Sequence, residues 1–170
     1  MKLRPATAGD AQAIADLVNY WFRKTGDVLP RSEESVESSL GDWVVVDNDG
    51  QVISCGALVK LDDDLIEVRS LAVRPDYQGH GLGRQIVHQL IEDAQALGNP
   101  TIFTLTKSVG FFEKMGFVVT ETHNFPSKVW QDCIHCPKFF ACDEVAMIYI
   151  GGDVVDQAQQ WLPANIALTT

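Results

Sequence analysis

At 170 residues, 46% hydrophobic and 21% charged, the chain has the size and composition of one ordinary globular domain, long enough to bury a core without disulfide staples. Its net charge of −10 and pI near 4.6 argue against nucleic-acid and anionic-membrane partners, and would repel an anionic substrate unless Arg and Lys are gathered locally. No apolar run approaches the ~20 residues that span a bilayer, and the opening MKLRPATAGD has no apolar signal core.

A short strand over Lys2–Pro5 leads to Thr7 or Asp10 as a cap. A helix follows, with apolar Ile14, Leu17, Val18, Trp21 and Phe22 at three- and four-residue spacing. The polar stretch from Arg23 reads as a loop and a short helix from Ser32. Three strand-like runs come next, Trp43–Asp47, Val52–Lys60 and Leu65–Val73, punctuated by DNDG and DDD as the turns of an antiparallel meander. Helical spacing returns from Gly81 with Leu82, Ile86, Leu90, Ile91, Ala94 and Leu97, closing at Gly98. The β-branched run over residues 100–106 follows that helix, so it can pair in parallel with the strand before it. A short helix ending at Gly116, a long irregular segment over 120–144, a strand over 145–150 and a helix-like 154–162 complete the chain.

Three glycines in five residues, Gly79, Gly81 and Gly83, mark the junction between the Leu65–Val73 strand and its following helix. A helix N-terminus offers unpaired amides and partial positive charge, and glycines let a phosphate reach them. The third glycine of a dinucleotide fingerprint is missing and no Gly-Lys-Ser/Thr follows, so neither the Rossmann nor the P-loop motif is met. By itself the turn fits a tight structural turn equally well.

The array LAVRPDYQGHGLGRQIV resembles the acetyl-CoA signature of the GCN5-related N-acetyltransferases, with Gln78, Gly81 and Gly83 in the defining positions. The resemblance implies an α/β fold whose mixed, largely antiparallel sheet is split between two central parallel strands and flanked by helices. It implies that backbone amides from Gln78 through Gly79, His80, Gly81, Leu82 and Gly83 to Arg84 cradle the pyrophosphate of acetyl-CoA. Leu71, Ala72 and Val73 would pair with the pantetheine arm as an added strand. FFEKMGF resembles a second family mark, but Phe112 stands where many relatives carry the Tyr that protonates the departing thiolate. The bland reading of Phe112 is core packing.

An α-amine with a pKa near 8 is only about a tenth neutral at pH 7, so a base aids its attack on a thioester. By resemblance Glu67 lies where the family often places that base; otherwise it is an exposed strand carboxylate. Residues 1–150 are similar to the acetyltransferase domain of N-acetylglutamate synthases, through LRPATAGDAQAI, GDVLPRS, IFTLT and FPSKVW in order. That implies a cytoplasmic enzyme of arginine biosynthesis that acetylates L-glutamate by direct transfer. It resembles a short form without the amino-acid-kinase domain of the longer synthases. Residues 151–170 form an extension of unassigned role.

Glutamate's two carboxylates call for cations. The resemblance points to Arg31 and Lys128, and strand alternation puts Arg69 on the same side as Glu67. Ser32 and Thr106 are candidate hydrogen-bonding partners of the same acceptor. Other readings are an acetyltransferase for a polyamine, drug or protein N-terminus, or a silent acyl-CoA-binding regulator. A homodimer is compatible with the family. Of four cysteines, Cys55 reads as core, and Cys133, Cys136 and Cys142 as reduced thiols. Their Cys-x-x-Cys spacing leaves zinc or redox chemistry as the alternative, but His135 is squeezed inside the pair, so no metal site is assigned.

Overall fold

A computed structural model of the chain describes residues 1–98, 100–125, 128, 133–136, 138 and 142–151. The chain falls into two units: Met1–Val59 with Glu67–Asn99, and Lys60–Ile66 with Pro100–Thr170. Two of the boundaries fall inside strands, at Val59/Lys60 and at Ile66/Glu67.

The first unit contains β1 (Lys2–Pro5), α1 (Ala11–Thr25), α2 (Glu33–Glu37), β2 (Trp43–Asn48), β3 (Gln51–Lys60), most of β4 (Leu65–Val73) and α3 (Leu82–Ala96). Its strands are ordered β1-β2-β3-β4. β1 and β2 pair antiparallel with Leu3 opposite Val46, and β2 and β3 with Val45 opposite Cys55. Asp49 and Gly50 connect β2 to β3, both at positive φ, which is the twist a two-residue hairpin loop needs. The DNDG signal in the sequence is this turn.

The alternation of β3 sorts its neighbours. Cys55, Ala57 and Val59 join one core with Ile14, Val18 and Trp21 of α1. Gly56 faces the other way, where an added Cβ would lie 2.5 Å from Ile86 and 3.2 Å from Leu90 of α3. The apolar stripes of α1 and α3 thus lie on opposite faces of β3, and glycine at 56 lets α3 approach. Phe22 and Leu97 depart from the expected stripes: Phe22 is exposed, and α3 ends at Ala96 with Leu97 exposed beyond it.

Arg4 ties the start of this unit together. Its guanidinium donates to both carboxylate oxygens of Asp10 at 2.7 and 3.0 Å, and to Asp47 at 2.8 Å. Asp10 also accepts from the Thr7 amide and hydroxyl at the entry to α1. The bonds from Arg4 come first in holding the Asp10 carboxyl at about 2, below its ordinary value of 3.8; burial opposes them.

The second unit contains the opening of β4, then β5 (Thr101–Thr106), α4 (Val109–Glu113), β6 (Phe117–Thr120) and β7 (Val145–Tyr149). Its order is β4-β5-β7-β6, with β4 and β5 the one parallel pair, so the seven strands form a mixed, largely antiparallel sheet. Phe103 pairs with Ile148, and Phe117 with Tyr149. β6 was not anticipated: its Phe-Val-Val run does not alternate apolar with polar residues and directly follows the glycine that closes the helical pattern. Leu65, Phe103, Phe125 and Ala146 form one core cluster of this unit, with Phe103 and Phe125 stacked at 4.2 Å. Phe112 is buried edge-on to Phe111 and Phe117, at centroid distances of 5.0 and 5.2 Å, so it packs in the core. The helix-like stretch 154–162 lies outside the described residues.

Two outcomes test this packing. Gly56→Ala should destabilise the protein by about 1–3 kcal/mol, because buried Ile86 and Leu90 must shift; an unchanged urea midpoint would count against the close approach. The depressed Asp10 pKa contributes about 2 kcal/mol of stability, present above pH ~4 and lost as pH falls from ~4 towards ~2. Asp10→Asn should therefore lower stability at neutral pH and flatten the acid limb of a stability–pH curve.

Candidate functional site

β4 carries the sequence candidates at its centre and end. Glu67 is 3% exposed, and the Arg69 guanidinium lies 3.7 Å from its carboxylate, on the same side of the strand. One residue on, Ser70 has φ of 56°, a left-handed conformation that costs a non-glycine residue strain and breaks regular strand geometry. The sequence had shown no trace of this, since serine is not a marker of positive φ. Neighbouring bonds hold the distortion: the Cys55 thiol reaches the Ser70 carbonyl at 3.9 Å, and the Ser54 hydroxyl donates to the Ala72 carbonyl at 3.0 Å. Of the strand residues expected to receive a pantetheine arm, Ala72 directs its carbonyl to β3, while Leu71 and Val73 are half-buried.

After β4 the chain makes a braced turn. Arg74 pairs with Asp76 at 2.7 Å and lies over the Tyr77 ring, whose hydroxyl accepts from Asn48. Gly79 and Gly81 have φ of 81° and 76°, and nothing lies within 4 Å of where their Cβ atoms would be. Their glycines are required by the backbone, with open space beside them. Gly81 is the N-cap of α3, so no side chain caps the first amides of that helix. Gln78, His80 and Arg84 are exposed around the turn, and Leu82 is buried beneath it. His80 folds back, its Nδ1 at 3.0–3.1 Å from the Gln78 and Tyr77 carbonyls, so Nδ1 carries the proton.

A cavity of about 120 Å³ in the first unit brings Arg31 and Arg69 together. It is completed by Asp42, the hydroxyl-bearing Ser35 and Ser39, and the apolar Trp43, Ala57 and Val59. Arg31 is held by its main chain: the Asn19 side chain donates to its carbonyl at 2.7 Å and accepts from its amide at 2.9 Å. Trp43 donates to Ser39, which donates to the Ser35 carbonyl, ordering the hydroxyl wall. Burial pushes the Asp42 carboxyl up, against a smaller opposing pull from Arg69. Asp42, Ser35 and Ser39 were missed in the sequence; Ala57 and Val59 could have been found as alternate residues on the β3 face shared with the α1 core.

Ser32 and Thr106 have local duties. The Ser32 hydroxyl caps α2 by accepting from Ser35 N–H at 3.1 Å, and the Thr106 hydroxyl accepts from Ser108 N–H at 2.8 Å. Thr106 and the buried Lys128 belong to the second unit. Cys133 and Cys136 are half-buried, Cys142 is exposed, and none of the three is in a disulfide; among the described residues no His, Cys, Asp and Glu group is arranged to hold a metal ion. No helix among the described residues is long and apolar enough to cross a membrane.

A sequence model of the Acetyltransferase (GNAT) family matches residues 12–117. An uncharacterized N-acetyltransferase from Chlorobaculum tepidum is 38% identical over 146 residues, covering 86% of this chain and 94% of that one. An amino-acid acetyltransferase from Azotobacter vinelandii is 34% identical over 128 residues, covering 74% of this chain but only 29% of its own. The crystal structure of N-acetylglutamate synthase from Neisseria gonorrhoeae complexed with coenzyme A and N-acetyl-glutamate matches with a TM-score of 0.76 and 25% identity, over 87% of this chain and 34% of that one.

Burial has a direct chemical readout here. The Cys55 thiol is fully buried and pushed up to about 12 by that burial. Iodoacetamide at pH 8 should therefore alkylate Cys142 readily and leave Cys55 unmodified until the protein is denatured, as mass spectrometry of tryptic peptides would report.

Proposed function

The chain belongs to the GNAT family of acetyltransferases, and on that premise we propose that it transfers the acetyl group of acetyl-CoA to the α-amino group of L-glutamate. The observation that carries the acceptor is the pairing of Arg31 and Arg69 around one cavity, with buried Glu67 beside Arg69. An acidic protein that gathers two guanidiniums in so small a space has a use for anions there.

Glu67 takes a proton from the α-ammonium, directly or through a water. The neutral amine attacks the thioester carbonyl to give a tetrahedral intermediate, which collapses with release of the CoA thiolate. The nitrogen passes its second proton to solvent as the intermediate collapses. Phe112 has no acid to offer, so the thiolate leaves unprotonated or takes a proton from solvent; a thiol with a pKa near 8.5 is a tolerable leaving group. Cys55 is sealed in the core with its thiol pushed up to about 12, so it is no carrier of the acetyl group, in keeping with direct transfer. The amides around Gly81 would hold the pyrophosphate, and Leu71 and Val73 the arm.

Asp42 favours a second reading, in which the acceptor is a cationic amine and the carboxylate draws it in. Two guanidiniums line the cavity against its one lining carboxylate, with Glu67 set beside Arg69, and that makes the cationic acceptor the weaker choice. Acetyl-CoA consumption across the twenty amino acids and spermidine separates the two: glutamate should turn over and spermidine should not, and the reverse would overturn the proposal. Arg31→Ala should raise KM for glutamate about 10- to 100-fold, the loss of one charge-assisted bond, with KM for acetyl-CoA little changed. Glu67→Gln, which cannot accept a proton, should lower kcat about 100-fold or more.

A further inference from the structure

Trp21 stands on α1, half-buried against the core that includes Ala72 and Val59. Its ring is held from two sides, by Tyr20 edge-on at 5.2 Å and by the Lys24 ammonium 5.9 Å from its centroid. Its indole N–H donates to the main-chain carbonyl of Val73, the last residue of β4, at 3.0 Å.

The direction of that carbonyl follows from its neighbours. The Arg74 amide donates to the Ile53 carbonyl on β3 at 2.9 Å. In a planar trans peptide the C=O and N–H point to opposite sides, so the Val73 carbonyl points away from β3. The Ala72 carbonyl accepts from Ser54 of β3, and the same argument turns the Val73 N–H away from β3 as well. Val73 thus aims both backbone groups to one side, and Trp21 has taken the carbonyl.

A ligand extended along that side of β4, with its reacting end near Glu67 and its phosphates at the glycine turn, meets Val73 with its outer part. An indole already on the carbonyl leaves the Val73 N–H as the pairing group at this position. We propose that Trp21 is a positioning residue for the pantetheine arm of acetyl-CoA: its indole holds the Val73 peptide and sets the register in which the arm pairs with β4. This inference rests on the reading of Leu71–Val73 as the strand that receives the arm.

Trp21→Phe keeps an aromatic ring and removes the N–H. Acetyl-CoA should bind it about five- to tenfold more weakly by calorimetry, the loss of one hydrogen bond, and KM for acetyl-CoA should rise in parallel. KM for glutamate should stay within about twofold, too small a change to represent a lost bond. The variant should be no slower than wild type with the acetyl thioester of N-acetylcysteamine, a donor that lacks the outer amide. A purely structural role predicts a lower Tm with unchanged affinity for acetyl-CoA, or an equal penalty with both donors, and either result overturns the proposal. If the wild-type protein fails to bind acetyl-CoA, the reading of Leu71–Val73 falls too; if wild type and variant bind it equally, only the role of Trp21 falls.

Discussion

The rest of the first unit is arranged around the asymmetry of β4. One side of its C-terminal half is committed to β3, through Ser54 to the Ala72 carbonyl, Cys55 to the Ser70 carbonyl, and the Arg74 amide to Ile53. The other side carries the backbone groups of Val73, one of them held by Trp21. A strand in the middle of a sheet has both rows of polar groups to satisfy, and leaving them unmet is costly. Ser70 at positive φ sits where that obligation changes, and the bonds from β3 hold the backbone in a conformation it would not choose alone. The strain and the proposed ligand edge are therefore parts of one local arrangement.

Helix packing makes that arrangement rigid. α1 covers one face of β3 through Cys55, Ala57 and Val59, and α3 approaches the other over Gly56. From this frame α1 sends two side chains to backbone rather than to ligand: Asn19 clamps the main chain of Arg31, and Trp21 clamps that of Val73. A neutral side-chain amide suits the first task because it matches a peptide's donor and acceptor together. Arg31 can then project a charged head from an anchored main chain. Part of the entropy of placing it has been lost on folding rather than on binding.

The electrostatics of the cavity set a balance rather than a simple attraction. Arg69 lies beside the buried Glu67 and within the field of Asp42, so its charge is shared before any acceptor arrives. Arg31 and Arg69 are set against Asp42 and, beside Arg69, Glu67, so charge is locally balanced in a chain whose net charge is −10. Local concentration of charge, not the overall sign, is what an incoming carboxylate senses within a Debye length. The charge of the whole chain does not describe this cavity, and the grouping of particular charged residues does.

Much was legible in the residues themselves. The strand–turn–helix from Leu65 to Ala96, the glycines of its turn, and the i, i+2 relation of Glu67 and Arg69 depend on local chemistry: alternation, helical period, and the φ values that only glycine takes cheaply. Even Phe112, where a tyrosine was missed, announced a core ring rather than an acid. What only the tertiary structure decided was long-range. Arg31 and Arg69 are 38 positions apart, and folding alone sets them around one cavity with Asp42 between them in sequence. The same holds for Ser70 in its strained conformation and Trp21 on the Val73 carbonyl, because bonds between distant segments leave no periodic mark in the chain. Local backbone preference wrote the glycine turn into the sequence, and packing between distant segments assembled the cavity of Arg31 and Arg69.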